Sequence, residues 1–194
     1  MEAIATRRSI RKFEDRPIPE VAIQAILTAG TQAPSGKNRQ PWRFVVVTGE
    51  ERAAMMRVMR EGIAKALARG RDPGSAERTA DAMEQAPLTV FVFNPYGIHP
   101  RLTRSIDQMF LDVLDIQSIG AAIQNMLLAA QDVGIGSLWI CDVFEAYEEL
   151  REWLGEEGQM IAAVSFGYAD ESPGARPRKP VSAVTRWVVT TPSP

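Results

Sequence analysis

Between Ile116 and Val143 the chain carries its most restrictive stretch, in which Ile116, Ile119, Ile123, Met126, Leu127 and Ala130 recur at helical spacing with apolar neighbours on nearly every side. A helix with so little polar surface must be covered over most of its circumference, in one core or between two subunits. It is predicted to stop near Gly134, which can take the left-handed conformation that many helix ends require. Ile135-Gly136-Ser137 then leads into a short apolar run, Leu138-Trp139-Ile140, followed by Cys141-Asp142. A buried helix, a glycine turn and a strand end in succession bring backbone close to whatever lies beside them.

The remaining elements are predicted to surround this spine. Pro17-Ile-Pro-Glu20 supplies a helix start, and Val21, Ile23, Ile26 and Leu27 form an amphipathic face that cannot continue past Pro34. A polar loop, residues 33 to 44, precedes Val45-Val-Val47, which reads as a fully buried strand. Glu50 to about Arg69 reads as a helix with Met55, Met56, Val58, Met59, Ile63 and Leu67 on its apolar side, and Arg69 to Ser75 as a turn-rich break. Leu88 to Asn94 and Met160 to Tyr168 read as strands, with a short amphipathic helix over Ala146 to Trp153 before the second. Such a succession describes an α/β or α+β sandwich, its helices covering a mostly buried sheet. Neither a repeat nor a second domain shows, so 1–194 reads as one domain.

Charge narrows the functional classes. The net charge of -2 gives no overall reason to expect a nucleic acid or membrane partner, so basic features must act locally. One cysteine excludes an intrachain disulfide framework and fits a reducing compartment, and one histidine, His99, rules out a site of several imidazole ligands; no metal centre is suggested. Met1 to Thr6 lacks the apolar core of a secretory signal, and a bacterial-type cytoplasmic protein is expected. Two clusters stand out. Arg7-Arg8-Ser9-Ile10-Arg11-Lys12, with Ile4, Ile10 and Phe13 as anchors, is either a solvated face or a phosphate site built from guanidinium forks and a hydroxyl. Arg176, Arg178 and Lys179 form the second, in a proline-rich tail whose Val181, Val184, Trp187 and Val188 are apolar enough to dock on something.

Four motifs in order, spread over almost the whole chain, resemble the FMN-dependent nitroreductase family: Arg7-Arg8-Ser9-x-Arg11, Ala33-Pro-Ser-Gly-x-Asn-x-Gln-Pro-Trp42, Gly134-x-Gly136-Ser-x-Trp139-Ile140, and Gly167-Tyr168 followed by Arg176-Pro-Arg-Lys-Pro180. The resemblance implies an α+β three-layer sandwich with a mostly antiparallel central sheet, and an intertwined homodimer with two FMN sites built from both chains. It implies that Arg7, Arg8 and Ser9 hold the phosphate with Arg176 and Arg178, and that Arg11 lies near the flavin pyrimidine edge or ribityl chain, where a cation stabilises reduced flavin. Pro34, Ser35, Asn38 and Gln40 are assigned to the flavin of the partner subunit. Trp139, Ile140, Cys141 and Asp142 match the segment beside the reactive flavin nitrogen, with backbone rather than side chain as the working group. Cys141 and Asp142 depart from the Gly or Glu common there, and nothing from Arg69 to Glu84 matches the family's mid-chain flavin contacts.

The activity so implied is ping-pong hydride transfer, from NADH or NADPH to FMN and then to a small electron-poor acceptor such as a nitroaromatic or quinone. No catalytic side chain is singled out, because the chemistry belongs to the cofactor. The loop Pro95 to Thr103, which holds Tyr96 and His99, is expected to shape the substrate entrance. Other readings keep the fold and change the reaction (a dehalogenase, a flavin destructase, a dehydrogenase), or make the protein a non-catalytic FMN-binding dimer. A nucleic-acid binder using Arg7 to Lys12 fits poorly with the acidic balance.

Overall fold

The computed structural model describes residues 2–188. Four strands, β1 (Arg43–Thr48), β2 (Leu88–Asn94), β3 (Gly136–Ile140) and β4 (Gln159–Gly167), form one antiparallel sheet in the order β1-β2-β4-β3. Successive side chains of a strand point to opposite faces, so a strand covered on both sides reads as an unbroken apolar run. Strand β2 does so literally. Its Leu88, Val90 and Val92 enter one core, and its Phe91 and Phe93 enter the other.

The first core is closed by α3 (Glu51–Ala68), α4 (Ala76–Gln85) and α6 (Tyr147–Leu154), through Met55, Met59, Ile63, Ala80, Met83 and Leu150. The second is closed by α2 (Glu20–Thr31) and α5 (Ile106–Asp132), through Ile26, Ile119, Ile123, Met126 and Ala130. Helices on both faces of an antiparallel sheet give the expected three-layer α+β sandwich. On the face of β2 that carries Phe91 and Phe93, the buried Thr89 and Ser165 hydroxyls share a hydrogen bond of 2.9 Å.

The spine helix is longer than its apolar spacing predicts. Ser105 and Gln108 form a reciprocal capping box, which starts α5 ten residues before Ile116, and Val133 and left-handed Gly134 (φ 75°) end it as expected. Burial in one core accounts for only part of its length. Residues from Ser118 onward pack in the core, whereas Ile106, Met109, Phe110, Val113 and Leu114 are exposed. By length and composition α5 could cross a membrane, yet its second half is packed between α2 and the sheet.

Three expectations need correction. Val45-Val-Val47 lies on β1, an edge strand in which only Val47 is buried and Val46 is 40% exposed, because no described strand pairs with its outer side. Ile4 does not anchor the N-terminal segment: it sits on a one-turn helix, α1 (Glu2–Thr6), and is exposed, leaving Ile10 and Phe13 as the anchors. Val21 and Leu67 likewise project outward from α2 and α3. Helix α4 fills the stretch between the turn-rich break and β2, where the sequence predicts no element.

Candidate functional site

Strand β3 is the edge against which the site is assembled. After α1 the chain runs alongside it, with Ile10 N–H donating to Ser137 O at 3.0 Å and Ser9 bridging Ser137 in parallel. The chain leaving β4 returns to the same place. Glu14 N–H donates to Tyr168 O, Asp170 N–H donates to Lys12 O, and the Glu171 carboxylate accepts from the backbone N–H groups of Arg11 and Lys12. These contacts set the tail from Pro173 to Arg178 opposite Arg7 to Arg11. Two basic clusters more than 160 residues apart in sequence thereby face one another.

The cavity between them has a volume of about 560 Å³ and is lined by Arg7, Arg8, Ser9, Arg11, Arg176 and Arg178, with Ile4, Ala5, Pro173, Gly174 and Ala175 completing the wall. Five arginines line it and, among the described residues, no carboxylate does. Arg8 is held in place by donating Nη1 to the carbonyls of Ala5 and Arg7, each at 2.8 Å. Like charges gathered around a space repel one another, so the arrangement gains from an anion that accepts several forked hydrogen bonds.

A second cavity of about 570 Å³ shares Arg11 and Arg176 with the first and continues along β3 past Leu138, Trp139, Ile140, Cys141 and Asp142. Its far wall is Ser75, Arg78 and Thr79 of α4 and its N-terminus, residues that the sequence reading missed. The Asp142 carboxylate accepts from Ser75 Oγ at 2.8 Å and Thr79 Oγ1 at 2.5 Å, tying α4 to the end of β3 with Arg78 on the cavity wall. A sequence signal was present: alanines at 76 and 80 with Met83 make an i, i+4, i+7 face after the turn at Gly74-Ser75.

A third cavity, about 530 Å³, shares Trp139 and Cys141 with the second and is walled by Ile116, Phe144, Tyr147, Met160 and Ile161. The register shift opposite Val92 and Phe93 pairs them with Ala162 and Met160, so Ile161 is the extra residue of a bulge, next to this cavity. His99, Pro100 and Arg101 of the loop after β2 complete it, with Arg71 from the break after α3. Three connected spaces thus run from a cationic end to an aromatic one.

Of the residues expected at a flavin, Arg7, Arg8, Ser9, Arg11, Trp139, Ile140, Cys141, Asp142, Arg176 and Arg178 line these spaces; Pro34, Ser35, Asn38 and Gln40 do not. Those four lie on a separate loop with unusual backbone. Lys37, Asn38 and Gln40 all have positive φ (54°, 54° and 50°), a conformation that costs non-glycine residues free energy and persists only when it is held. The holding contacts are visible. Ser35 Oγ accepts from Gln40 N–H at 2.9 Å; Arg39 reaches the buried Asp115 at 3.1 Å and stacks over Tyr96 at 4.2 Å; Asn94 also donates to Asp115.

Cys141 retains solvent access, but protein packed on its other sides raises the thiol pKa, and the neighbouring Asp142 charge adds to the rise. The side chain therefore keeps its proton at neutral pH. Alkylation by iodoacetamide is expected to reach half its maximal rate at a higher pH than for a free cysteine, and Asp142→Asn should recover part of that shift, since burial remains. A midpoint at or below the free-thiol value would contradict this account. Among the described residues no group of three His, Cys, Asp or Glu side chains could hold a metal ion.

Residues 4–168 match the Nitroreductase family. A protein of Archaeoglobus fulgidus named "Putative NADH dehydrogenase/NAD(P)H nitroreductase" is 34% identical over 173 residues, covering 87% of this chain and 84% of its own length. The "NADPH-flavin oxidoreductase" of Vibrio harveyi is 28% identical over 95% of this chain and 71% of its own. Among solved structures, "a putative nitroreductase in complex with fmn" from Desulfovibrio desulfuricans superimposes with a TM-score of 0.72 at 28% identity, covering 100% of this chain and 96% of that one. With the sheet order, the basic cradle and the Trp139 to Asp142 turn all in place, this chain belongs to the nitroreductase family.

Proposed function

We propose that this protein is an FMN-dependent oxidoreductase that uses NADH or NADPH to reduce small electron-poor acceptors, nitroaromatics and quinones among them. The observation that carries the reading is the cradle of five arginines, with no carboxylate among its described lining residues, opening directly onto the Trp139 to Asp142 wall. A phosphate monoester at the end of a planar ring system fits that sequence of spaces: dianion in the first cavity, ring in the second. FMN bound there would supply the chemistry, taking a hydride equivalent from the reduced nicotinamide and returning it to the acceptor.

The protein's share is binding, orientation and charge. Arg7, Arg8, Ser9, Arg176 and Arg178 would hold the phosphate. Arg11 and Arg78 put positive charge along the second cavity, where negative charge accumulates on reduction. The backbone of Trp139, Ile140, Cys141 and Asp142 would lie along the ring, and the protonated Cys141 has no part as a nucleophile.

The chain acts as one FMN-binding domain and as an intertwined homodimer in the cytoplasm. Three features of this chain support the dimer: an open edge on β1, a tail with Val181, Val184 and Trp187 exposed, and an apolar exposed face over the first ten residues of α5. In such a dimer the strained loop bearing Pro34, Ser35, Asn38 and Gln40 would serve the flavin of the second copy.

The test is the visible spectrum of protein loaded with FMN, followed anaerobically through addition of NADH and then NADPH, with the mass in solution read by sedimentation. A flavin spectrum bleached by either donor in a dimeric protein is expected. Flavin that neither donor bleaches would leave a binding protein rather than an oxidoreductase, and failure to take up FMN would remove the reading altogether.

A further inference from the structure

We propose that the third cavity is the acceptor site and selects planar aromatic acceptors that carry a carboxylate, with Arg101 as the residue that sets the preference. The inference rests on the flavin reading above and adds the class of acceptor to it. Position comes first. Trp139 and Cys141 line both this cavity and the one assigned to the ring, so a molecule seated here lies next to the site of electron transfer.

Shape comes second. Trp139, Phe144 and Tyr147 supply aromatic surface and Met160 and Ile161 aliphatic surface, around about 530 Å³, a volume suited to a compound of one or two rings. Charge decides the rest. The charged lining is Arg71, Arg101 and Glu148, and the carboxylate is already engaged. His99 Nδ1 accepts the Arg101 backbone N–H at 3.2 Å, so Nε2 carries the ring proton and donates it to Glu148 at 2.8 Å. That hydrogen bond fixes the loop to α6 without neutralising Glu148, whose charge is shared between Arg101 and Arg151; with two arginines against one carboxylate, the described lining is net positive.

Arg71 spends Nη2 on Glu145 at 3.0 Å. Among the described residues Arg101 is less fully occupied: it approaches Glu148 at an ion-pair distance of 3.8 Å, beyond hydrogen-bond reach, and its side chain is 65% exposed. A guanidinium with free N–H groups at the edge of an aromatic slot matches a ring whose carboxylate stays at the mouth while its electron-poor end points inward. For 4-nitrobenzoate the first two-electron step would be nitro group plus NAD(P)H plus one proton giving nitroso compound, NAD(P)+ and water. One N–O bond breaks, the nitrogen is reduced and the nicotinamide is oxidised.

The experiment compares 4-nitrobenzoate, neutral 4-nitrobenzamide and cationic 4-nitrobenzylamine as acceptors for FMN-loaded protein at saturating NADPH, in the native chain, Arg101→Ala and Arg101→Glu. Calorimetric titration of 4-nitrobenzoate into the oxidised protein supplies a readout independent of turnover. The ratio of kcat/KM for the acid over the amide should fall about tenfold in Arg101→Ala, the size of one charge-assisted hydrogen bond at a wet site. It should fall further in Arg101→Glu, where the amine becomes the favoured acceptor, and the calorimetric Kd for the acid should rise in parallel. Equal ratios in all three proteins, with the acceptors still reduced, would overturn the selectivity and leave the oxidoreductase standing. If no acceptor is reduced although NADPH bleaches the flavin, the acceptor-site proposal falls and the flavin oxidoreductase stands; only a flavin that is not bleached removes that reading.

Discussion

Replacing Arg7 and Arg176 together by alanine is expected to weaken FMN binding by a factor of about 10² to 10⁴, while the flavin-free protein becomes slightly more stable. The two effects have one origin. Arg7 and Arg176 come from opposite sides of the first cavity, among five guanidinium groups with no lining carboxylate between them. With phosphate bound, each contributes a charge-assisted hydrogen bond worth about 1.5–3 kcal/mol, and two such losses correspond to the stated range. Without phosphate the same pair only repels its neighbours. Relief of that repulsion amounts to a few tenths of a kcal/mol in exposed, screened surroundings, and it should fade as salt is raised.

Fluorescence titration with FMN and thermal melts with and without the flavin distinguish this from a folding defect. The variant should melt at or slightly above the native temperature when flavin-free and should lose most of the upward shift that FMN produces. An FMN affinity within twofold of native would mean that the phosphate does not sit in this cradle. Lowered melting in both states would mean that the arginines are structural.

How far such a site can be read from the chain alone depends on what kind of interaction builds each part. The helices α3 and α5 and the strands β2 and β4 were legible because hydrophobic burial imposes a period on the sequence, and long periodic segments leave little ambiguity. Helix α4 escaped because its buried face is made of three alanines, Ala76, Ala80 and Ala82, with Met83 as its one large apolar side chain, a weak signal against Glu77, Arg78, Asp81 and Glu84. The edge position of β1 was not legible either: Val45-Val-Val47 is equally suited to a central strand, and which neighbour covers it is decided by topology.

Polar pairings were the least accessible. The cation at Arg39 and the anion at Asp115 lie 76 positions apart, and only the fold brings them together to hold three residues in the left-handed region. Similarly, each basic cluster alone was an ambiguous charge run, and family resemblance supplied the idea that they cooperate. The structure adds the physical means, which is the Glu171 carboxylate seated on the backbone N–H groups of Arg11 and Lys12.

Gly62→Ala provides the second large effect, because two familiar rules oppose each other there. In the middle of α3, alanine should stabilise the helix by up to about 1 kcal/mol relative to glycine. Packing acts the other way. A methyl group at Gly62 would stand 2.3 Å from Ala146 Cβ and 2.4 Å from Ala146 Cα, and a backbone atom cannot rotate aside. Overpacking of this sort costs about 1–3 kcal/mol and more where backbone must move, so a net loss of roughly 2 kcal/mol is expected in urea unfolding. Ala146 closes the 3-10 turn that opens at Asp142, so the displacement is passed to the residues that line the second cavity, proposed above for the flavin ring. FMN affinity should therefore fall several-fold in a variant that carries no change within the site. Adding Ala146→Gly removes the nearer contact but not the one to Cα, and it should recover part of the stability rather than all of it. A single variant more stable than the native protein would show that α3 and the turn can separate at little cost, and that helix propensity outweighs their contact.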